Sequence, residues 1–336
     1  MFLTHVLLAA TVVGQSQDHQ VIDAVLKAFE SAWVVAIGEN HRHVELHALL
    51  LELLEDPRSA EVIDDIAVEW GNALYQPIVD RYIRGDSAPW DSMTMAWRNT
   101  IVSPNTVWDA PVYEQFFREV RRINESLDET AQYRVLLADS PVEWSVADSV
   151  ADLRPFFDRA RSMAEVVRRE SLQQGRRSLF IAGGLHVAKK PRVRPNRFGV
   201  PVGEVTPIVW IEVLHPGSSF VIQSMGAAER LGLPDLIGDG APRLVQLTST
   251  SELAHIDANR TNTLRNRDGS RPNVYGEAVL GDIVDAVILW DVDDLTFVEP
   301  DPATYAVEWY WAELNRRSLM LRGQPMDASL RPANLR

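Results

Sequence analysis

The chain has 336 residues, of which 46% are hydrophobic and 24% are charged, so its composition is that of a folded globular protein. The formal net charge of -14 would repel a phosphate backbone, and no long basic face offsets it, which argues against a nucleic-acid partner. There are no cysteines, so disulfides, thiolate nucleophiles and iron–sulfur clusters are excluded, and any metal would need His or carboxylate ligands.

The first 20 residues contain a short apolar run, residues 2–13, that ends in small residues before a polar stretch. This pattern fits a secretory signal, although no Lys or Arg precedes the run and a first buried strand would look similar. Two locations stay open: an exported protein, periplasmic or extracellular, in which residues 1–20 are a signal or N-terminal extension, or a cytoplasmic one. No later segment reaches the ~20 apolar residues of a membrane helix.

Short β-branched apolar runs alternate with segments of helical periodicity, which is typical of parallel strands joined by crossover helices. We therefore predict an α/β fold with a central, mostly parallel sheet and helices on both faces. The predicted strands are residues 33–37 (WVVAI), 65–68 (DIAV), 134–138 (RVLLA), 178–182 (SLFIA), 207–213 (PIVWIEV) and 285–290 (DAVILW).

Amphipathic segments between the strands predict the crossover helices at residues 44–54, 113–123 and 150–174, and a closing helix at residues 305–321. Two segments with weak periodicity, residues 86–110 and 216–278, are interpreted as insertions over the sheet. The first is rich in tryptophan and would lie over the carboxyl edge of the strands. Residues 21–336 are thus predicted to form a single α/β domain.

Two predicted strands end in the same motif, Gly-x-x-His. The first runs into Gly38 and His41, and the second into Gly183 and His186. In a parallel sheet, ligands bind outside the carboxyl ends of the strands, so these histidines are predicted to share one crevice. A single Gly-x-x-His is weak evidence, but two such motifs at strand ends, in a chain with eight histidines, indicate a site.

Carboxylates occupy equivalent places. Glu69 follows one strand and Asp139 another, while Glu39 lies inside the first motif. Glu45 follows His41 by one helical turn and would share its face if the helix began near His41. Neutral imidazoles and carboxylates without sulfur suit Mn²⁺, Co²⁺, Fe²⁺ or Zn²⁺. The predicted metal ligands are His41, His186, Glu39 and Glu69, and the ion would activate water for hydrolysis.

A mechanism without a metal is also chemically reasonable. His41 or His186 would act as a general base on water, with Glu39, Glu45 or Glu69 orienting the imidazole. His43 and His47 are interpreted as surface or supporting residues. A serine triad is not favoured, because the chain has no Gly-x-Ser-x-Gly motif.

Two further features bear on ligands. The basic run that includes Lys189, Lys190 and Arg192 follows the second motif and is a candidate clamp for an anionic group such as a haem propionate, or a solvated loop. The tryptophans of the first insertion, Trp90, Trp97 and Trp108, would form either an aromatic lid, together with Tyr75, or ordinary core.

The segment AIGENHRHVELHALLLELL resembles the Gly-Glu-x-His signature of the superfamily that contains erythromycin esterases, ChaN-like haem-uptake proteins and Tiki-type metalloproteases. LFIAGGLHVAKK resembles the later motif of the ChaN-like branch, and VEWGNALYQPIVDRYIRGD resembles the superfamily's strand-Glu segment. The similarity spans residues 33–205, and DIVDAVILW resembles the closing strand. Asn40 and Arg42 stand where erythromycin esterases favour Thr and Gly, which argues against a macrolide substrate.

The resemblance implies a site built from Glu39, His41, Glu45, Glu69 and His186. It also implies two functions. The first is a hydrolase acting on an ester or amide bond of a small molecule or peptide, with a divalent metal or an activated water. The alternative is a haem or tetrapyrrole carrier of the ChaN type, in which a tyrosine would ligate the iron.

Overall fold

A seven-stranded sheet forms the centre of the molecule. The computed structural model describes residues 17–195, 201–227, 242–261, 269–270 and 272–335, so most of the predicted N-terminal signal lies outside the described residues. The sheet strands are β1 (Val34–Glu39), β2 (Asp65–Asn72), β3 (Arg134–Asp139), β4 (Ser178–Gly183), β7 (Ser219–Ala227), β8 (Arg243–Gln246) and β9 (Ala286–Trp290). A separate antiparallel hairpin contains β5 (Arg192–Pro195) and β6 (Pro201–Glu204).

The order across the sheet is β3-β2-β4-β1-β7-β9-β8. All the pairings in the sheet are parallel except that of the edge strand β8, which runs antiparallel to β9. The fold is therefore the predicted α/β fold with a mostly parallel sheet. This order makes β3, β2, β4 and β1 successive neighbours, so their carboxyl ends meet at one edge.

Both faces of the sheet are covered, which explains the continuous apolar character of the strands. Successive side chains of β1 enter different cores: Val35 and Ile37 pack in one apolar cluster, while Val34 and Ala36 pack in the other. The described helices are α1 (Gln17–Ala28), α2 (Val44–Glu55), α3 (Gln76–Ile83), α4 (Trp90–Arg98), α5 (Pro111–Asn124), α6 (Val150–Leu153), α7 (Arg159–Glu170), α8 (Pro207–Leu214), α9 (Leu280–Ile283) and α10 (Glu308–Arg322).

The first apolar cluster includes residues of α1, α2, α3, α4 and α5, and the second includes residues of α7, α8 and α9. The helix predicted at residues 150–174 is interrupted. α6 ends before Pro155, and α7 begins only at Arg159, because the proline ring cannot continue a regular helix. No helix of the described part is long and apolar enough to cross a membrane.

The strand predicted at residues 207–213 is wrong, because these residues form the helix α8. Thr206 caps this helix by accepting a hydrogen bond from the Val209 amide, and Pro207 occupies its first turn. Both residues are typical of a helix start, and they prevail over the β-branched run that follows. The strand beside β1 is instead β7.

The interpretation of residues 216–278 as an insertion over the sheet is also wrong for two of its segments, β7 and β8, which are strands of the sheet itself. Part of this segment lies outside the described residues. In the first predicted insertion, residues 86–110, Trp97 and Trp108 are buried, and Trp97 stacks on Phe117. Core packing therefore describes these two tryptophans better than an aromatic lid.

Candidate active site

Polar residues gather at the carboxyl edge of the four neighbouring strands β3, β2, β4 and β1. Asp139 is the last residue of β3 and Glu39 the last of β1, while Glu69 lies inside β2. His41 and His186 lie in the turns that follow β1 and β4. The order of the strands thus puts both Gly-x-x-His turns at one edge, with Glu69 beside them.

The first group of contacts centres on Glu39. Its carboxylate is buried, and its Oε1 atom lies 2.7 Å from Nδ1 of His41. The other oxygen, Oε2, lies 3.0 Å from Nε2 of His47. The hydroxyl of Tyr113 donates to Oε1 at 3.3 Å. An ionised carboxylate can only accept hydrogen bonds, so this arrangement puts a proton on Nδ1 of His41 and leaves Nε2 as the basic nitrogen.

These contacts shift the pKa values of both partners. Burial raises the pKa of Glu39, but the hydrogen bonds and charges of His41 and His47 outweigh it, and the net pKa is lowered. Burial lowers the pKa of His41, but the hydrogen bond and negative charge of Glu39, together with the charge of Glu69, raise it above 6.5. Each of the two residues therefore favours the charged form of the other.

The imidazole of His41 is held but accessible. Its ring packs edge-on against Trp108, with centroids 4.6 Å apart, and its side chain remains 36% exposed. It lines an open cleft of about 520 Å³ together with Arg42, Asn105, Thr106, Glu299 and Tyr305. His41 is thus the member of the site that a ligand in this cleft would meet.

The second group of contacts centres on Glu69. Its Oε1 atom lies 3.2 Å from Nε2 of His186 and accepts a hydrogen bond of 2.8 Å from Arg159. Its Oε2 atom accepts a hydrogen bond of 2.6 Å from the Gly183 amide. Arg159 also donates to Oδ1 of Asp139 at 2.8 Å, so one guanidinium joins the carboxylates of β2 and β3.

The two carboxylates beside Arg159 differ in their proton affinity. Burial raises the pKa of Glu69, but the charges of His186 and Arg159 lower it well below its ordinary value. Burial also raises the pKa of Asp139, and here the net pKa remains raised despite Arg159, partly because Glu69 is close. The Oδ2 atom of Asp139 is buried without a hydrogen-bond partner among the described residues, which fits a carboxyl group that holds a proton readily.

Glycine at the end of β4 makes room for His41. A Cβ atom on Gly183 would lie 2.7 Å from Cε1 of His41, 2.9 Å from its Nε2 and 3.2 Å from Oε2 of Glu69. The imidazole of the first motif therefore lies directly over the backbone of the second. At Gly184 the neighbour is instead the amide of Gln223, which a Cβ would approach to 2.2 Å. At Gly38 a Cβ would lie 2.6 Å from the same amide and 2.7 Å from Cγ2 of Val187.

Arg42 follows His41 with a backbone φ of 71°, the left-handed region that favours glycine. The conformation costs an arginine roughly 1–2 kcal/mol. Its amide donates a 3.0 Å hydrogen bond to the Tyr113 hydroxyl, the same group that contacts Glu39. The turn also contacts a distant segment, because the Val298 amide donates to the Arg42 carbonyl and the Val44 amide donates to the Thr296 carbonyl.

Glu45 does not join the site. The helix α2 begins at Val44 rather than near His41, so the expected shared face does not exist. Glu45 lies 3.3 Å from Nε2 of His43 and accepts a hydrogen bond from the Thr296 amide. The prediction of Glu45 as a partner of His41 is therefore wrong, because the turn separates the two residues.

Of the two interpretations of His43 and His47, the surface one is wrong, whereas the supporting one fits His47. Both are buried. His43 bonds the Asp294 carbonyl at 2.8 Å and stacks on Phe297, and burial lowers its pKa. His47 contacts Glu39 and so supports the site from within the core.

The basic run after the second motif pairs with carboxylates. Lys189 contacts Asp285, Lys190 lies 2.9 Å from Asp282, and Arg192 lies 3.1 Å from Glu204. Binding of an anionic cofactor by Lys189, Lys190 and Arg192 stays a prediction, and it would require these ion pairs to open.

A metal ion does not fit the observed arrangement of side chains. No group of three or more His, Asp or Glu residues suited to hold a metal occurs in the part of the chain that the structure describes. Both oxygens of Glu39 are engaged by His41, His47 and Tyr113, and both oxygens of Glu69 are engaged as well. The predicted set thus forms two pairs instead of one cluster of ligands, Glu39 with His41 and Glu69 with His186.

Haem ligation through tyrosine also finds little support at this edge. Tyr113, which contacts Glu39, is fully buried, and burial together with the charge of Glu39 raises its pKa well above 10.0. Tyr305, which lines the cleft, is also buried, and burial raises its pKa as well. Ligation by a tyrosinate would need the opposite shift. Haem binding therefore stays a prediction from the resemblance.

Sequence reasoning missed Arg159 and Tyr113 as members of the site. Arg159 is the first residue of α7, and Tyr113 lies in the first turn of α5. Neither belongs to a motif, and each reaches the site only through packing of its helix on the sheet. The sequence predicts Tyr113 on an amphipathic helix. This pattern is the same for a tyrosine of the site and for a tyrosine that only packs in the core.

No protein-family model matches the chain, and no curated protein matches it by sequence. Among solved structures, the chain is similar to a Bacillus cereus protein, with a TM-score of 0.54 and 9% identity over 83% of this chain and 92% of that one. It is similar to a succinoglycan biosynthesis protein, with a TM-score of 0.53 and 9% identity over 83% and 98%. At such identity these likenesses show the fold alone.

Two further solved structures have TM-scores below 0.5 and carry no argument here. One is an erythromycin esterase mutant in its open conformation, with a TM-score of 0.46 and 13% identity over 84% of this chain and 95% of that one. The other is the haem-binding ChaN of Campylobacter jejuni, with a TM-score of 0.39 and 16% identity over 62% and 89%. The conclusion about the fold rests on the first two structures.

Proposed function

We propose that this protein is a hydrolase of ester or amide bonds in which His41 activates water. The observation that carries the proposal is the 2.7 Å contact between His41 Nδ1 and the buried carboxylate of Glu39, in an imidazole that lines an open cleft. A base oriented by a carboxylate and accessible to solvent is the arrangement that general-base catalysis needs.

The chemistry follows from the proton positions. Glu39 holds the proton of His41 on Nδ1, so Nε2 accepts a proton from water as the water oxygen attacks the carbonyl carbon. The bond from the carbonyl carbon to the leaving oxygen or nitrogen then breaks, and the leaving group takes a proton. The His41 imidazolium, which lines the cleft and holds the proton taken from water, is the candidate donor of that proton, whereas His186 pairs with Glu69 at 3.2 Å.

The surrounding residues fix the pair. Glu39 accepts hydrogen bonds from His47 and Tyr113, which leaves it little freedom to turn away from His41. The charge of Glu39 stabilises the imidazolium that forms when His41 takes the proton, in the way that a buried carboxylate supports a histidine base.

The test uses 4-nitrophenyl valerate and valeric acid 4-nitroanilide as a matched ester and amide. We expect His41→Ala to lower kcat/KM on the hydrolysed substrate by about 10²- to 10⁴-fold, the usual contribution of a general base. His255 is exposed and contacts the Ser249 carbonyl, so His255→Ala is the matched control and should leave kcat/KM unchanged. The proposal is wrong if His41→Ala retains full activity, or if wild type cleaves neither of these compounds nor mono-4-nitrophenyl glutarate, an ester with a free carboxylate.

A further inference from the structure

Arg42 brings a cation into the same cleft as His41. Its side chain is 28% exposed, and its Nη1 atom contacts the carboxylate of Glu299. Its Nε atom is buried and has no hydrogen-bond partner in the described part of the chain. The guanidinium is therefore only partly satisfied, although its neighbour along the chain is the candidate base.

The backbone at this position does not call for an arginine. The φ of 71° is a conformation that glycine adopts freely, and the hydrogen bond to the Tyr113 hydroxyl comes from the main-chain amide. A glycine would make the same turn and the same hydrogen bond without strain. The turn therefore does not explain the arginine side chain at this position. Binding of a ligand in the cleft that Arg42 lines would explain it.

The present partner of Arg42 is easily exchanged. The Glu299 side chain is 73% exposed, and ion pairs between solvent-accessible side chains contribute little to stability. Glu299 is also the one carboxylate among the described residues that line this cleft, whose other polar linings include Asn105, Thr106 and Ser329. A substrate carboxylate could therefore replace that of Glu299 without meeting a second negative charge on the cleft wall.

We propose that the cleft takes an ester or amide whose acyl part carries a carboxylate, and that Arg42 binds this carboxylate while His41 activates water at the carbonyl. The inference rests on the proposed hydrolase function and adds the substrate class to it. A guanidinium binds a carboxylate through two parallel hydrogen bonds, which fixes the acyl chain relative to the neighbouring imidazole. Glu299 then acts as an internal substitute that occupies Arg42 when the substrate is absent.

The experiment compares two esters of the same acyl length: mono-4-nitrophenyl glutarate, which carries a free carboxylate, and neutral 4-nitrophenyl valerate. We expect wild type to prefer the glutarate ester by about tenfold or more in kcat/KM, the range expected of a hydrogen bond to a charged group. Arg42→Gln should remove this preference, because a higher KM for the glutarate ester lowers its kcat/KM to that of the valerate ester.

Three further variants distinguish an effect of the Arg42 guanidinium from an effect of the backbone turn. Arg42→Gly relieves the backbone strain yet should lose the preference, whereas Arg42→Lys should keep part of it, because the charge remains without the two-pronged geometry. Glu299→Gln should raise kcat/KM for the glutarate ester alone, because a competing carboxylate is removed. A merely structural role of Arg42 would instead change both esters equally.

The outcomes distinguish the two proposals. If wild type cleaves both esters equally and in a His41-dependent manner, with Arg42→Gln affecting both alike, the substrate class is overturned and the hydrolase proposal stands. If neither ester nor the valeric anilide is cleaved, the hydrolase proposal fails and the substrate class fails with it.

Discussion

The two Gly-x-x-His turns orient their histidines in different ways. His41 contacts Glu39, which lies two residues earlier in the same chain segment, whereas His186 contacts Glu69 from the neighbouring strand β2. The first pair is therefore local, and the second exists only because β2 and β4 are neighbours in the sheet. The first motif therefore contains the carboxylate that orients its histidine. The second motif depends on a carboxylate from β2, which the fold brings next to it.

The groups that hold the two carboxylates differ as well. Glu39 is fixed by His47 and Tyr113, neither of which is a permanent cation, while Glu69 is fixed by the guanidinium of Arg159. We therefore expect changes around Glu39 to alter the pH dependence of activity, and changes around Glu69 to alter stability first.

The largest expected effect comes from Arg159→Met. It leaves the buried carboxylates of Glu69 and Asp139 close together without their shared cation, and we expect the free energy of unfolding to fall by about 3–5 kcal/mol. Urea unfolding at pH 7.5 measures it. The loss should shrink in acid, because protonation of the two carboxyl groups removes their repulsion.

Arg169→Met is the matched control, because it lies on the same helix, is 55% exposed and pairs with Glu170. Its expected loss is below about 1 kcal/mol. Equal losses in the free energy of unfolding of Arg159→Met and Arg169→Met would contradict this prediction. They would show that the bridge from Arg159 to Glu69 and Asp139 contributes no more than an exposed ion pair.

The next effect is that of Glu39→Gln on activity. We expect kcat/KM to fall about 10²-fold, because the imidazolium loses its negative partner. The acid limb of the pH profile should move to lower pH, since Glu39 raises the pKa of His41 in the wild type and the base works only when neutral. The pH dependence of kcat/KM from pH 5 to 9 measures the shift.

Glu45→Gln is the control for this change, since Glu45 contacts His43 and the Thr296 amide instead. Its acid limb should coincide with that of the wild type. An acid limb that stays in place in Glu39→Gln would contradict the pairing of Glu39 with His41.

The smallest expected effects concern Gly183 and Gly184, the two glycines that follow Ala182. Gly183→Ala adds a Cβ against the ring of His41, which Glu39 holds in place, so we expect about a tenfold loss of kcat/KM and a loss of about 1–3 kcal/mol in stability. In Gly184→Ala the new Cβ would contact the end of the Gln223 side chain, which can move aside. We therefore expect kcat/KM to fall by only about twofold.

Activity assays and urea unfolding of both variants measure this difference. A larger loss of activity in Gly184→Ala than in Gly183→Ala would contradict the placement of His41 over the second turn.

The sequence predicted the parts of the molecule that short-range patterns determine. Strands β1, β2, β3, β4 and β9 were recognised because each is a continuous apolar run, and both motifs were placed at their strand ends. The helix α8 was mistaken for a strand because its β-branched run outweighed Thr206 and Pro207 in the interpretation. β7 was missed because it lies in a segment of weak periodicity.

The contacts of the site also divide into short-range ones, which the sequence predicts, and long-range ones, which it does not. The contact between Glu39 and His41 could be inferred from the motif, whereas the contact between Glu69 and Arg159 joins residues 90 positions apart and depends on how α7 packs on the sheet. The expected partnership of Glu45 with His41 failed because it assumed a helix that begins one turn too early. Long-range packing and exact helix ends are the two features that one sequence does not reveal.

The segment that contacts the His41 turn has a consequence for how activity appears during refolding. His43 bonds the carbonyl of Asp294, 251 residues away, and Val298 bonds the carbonyl of Arg42. Contacts between such distant residues require the closure of a very long loop, and they form slowly. Refolding protein should thus regain most of its helical circular dichroism before the proposed hydrolytic activity, because the His41 turn is completed only when residues 294–298 dock on it.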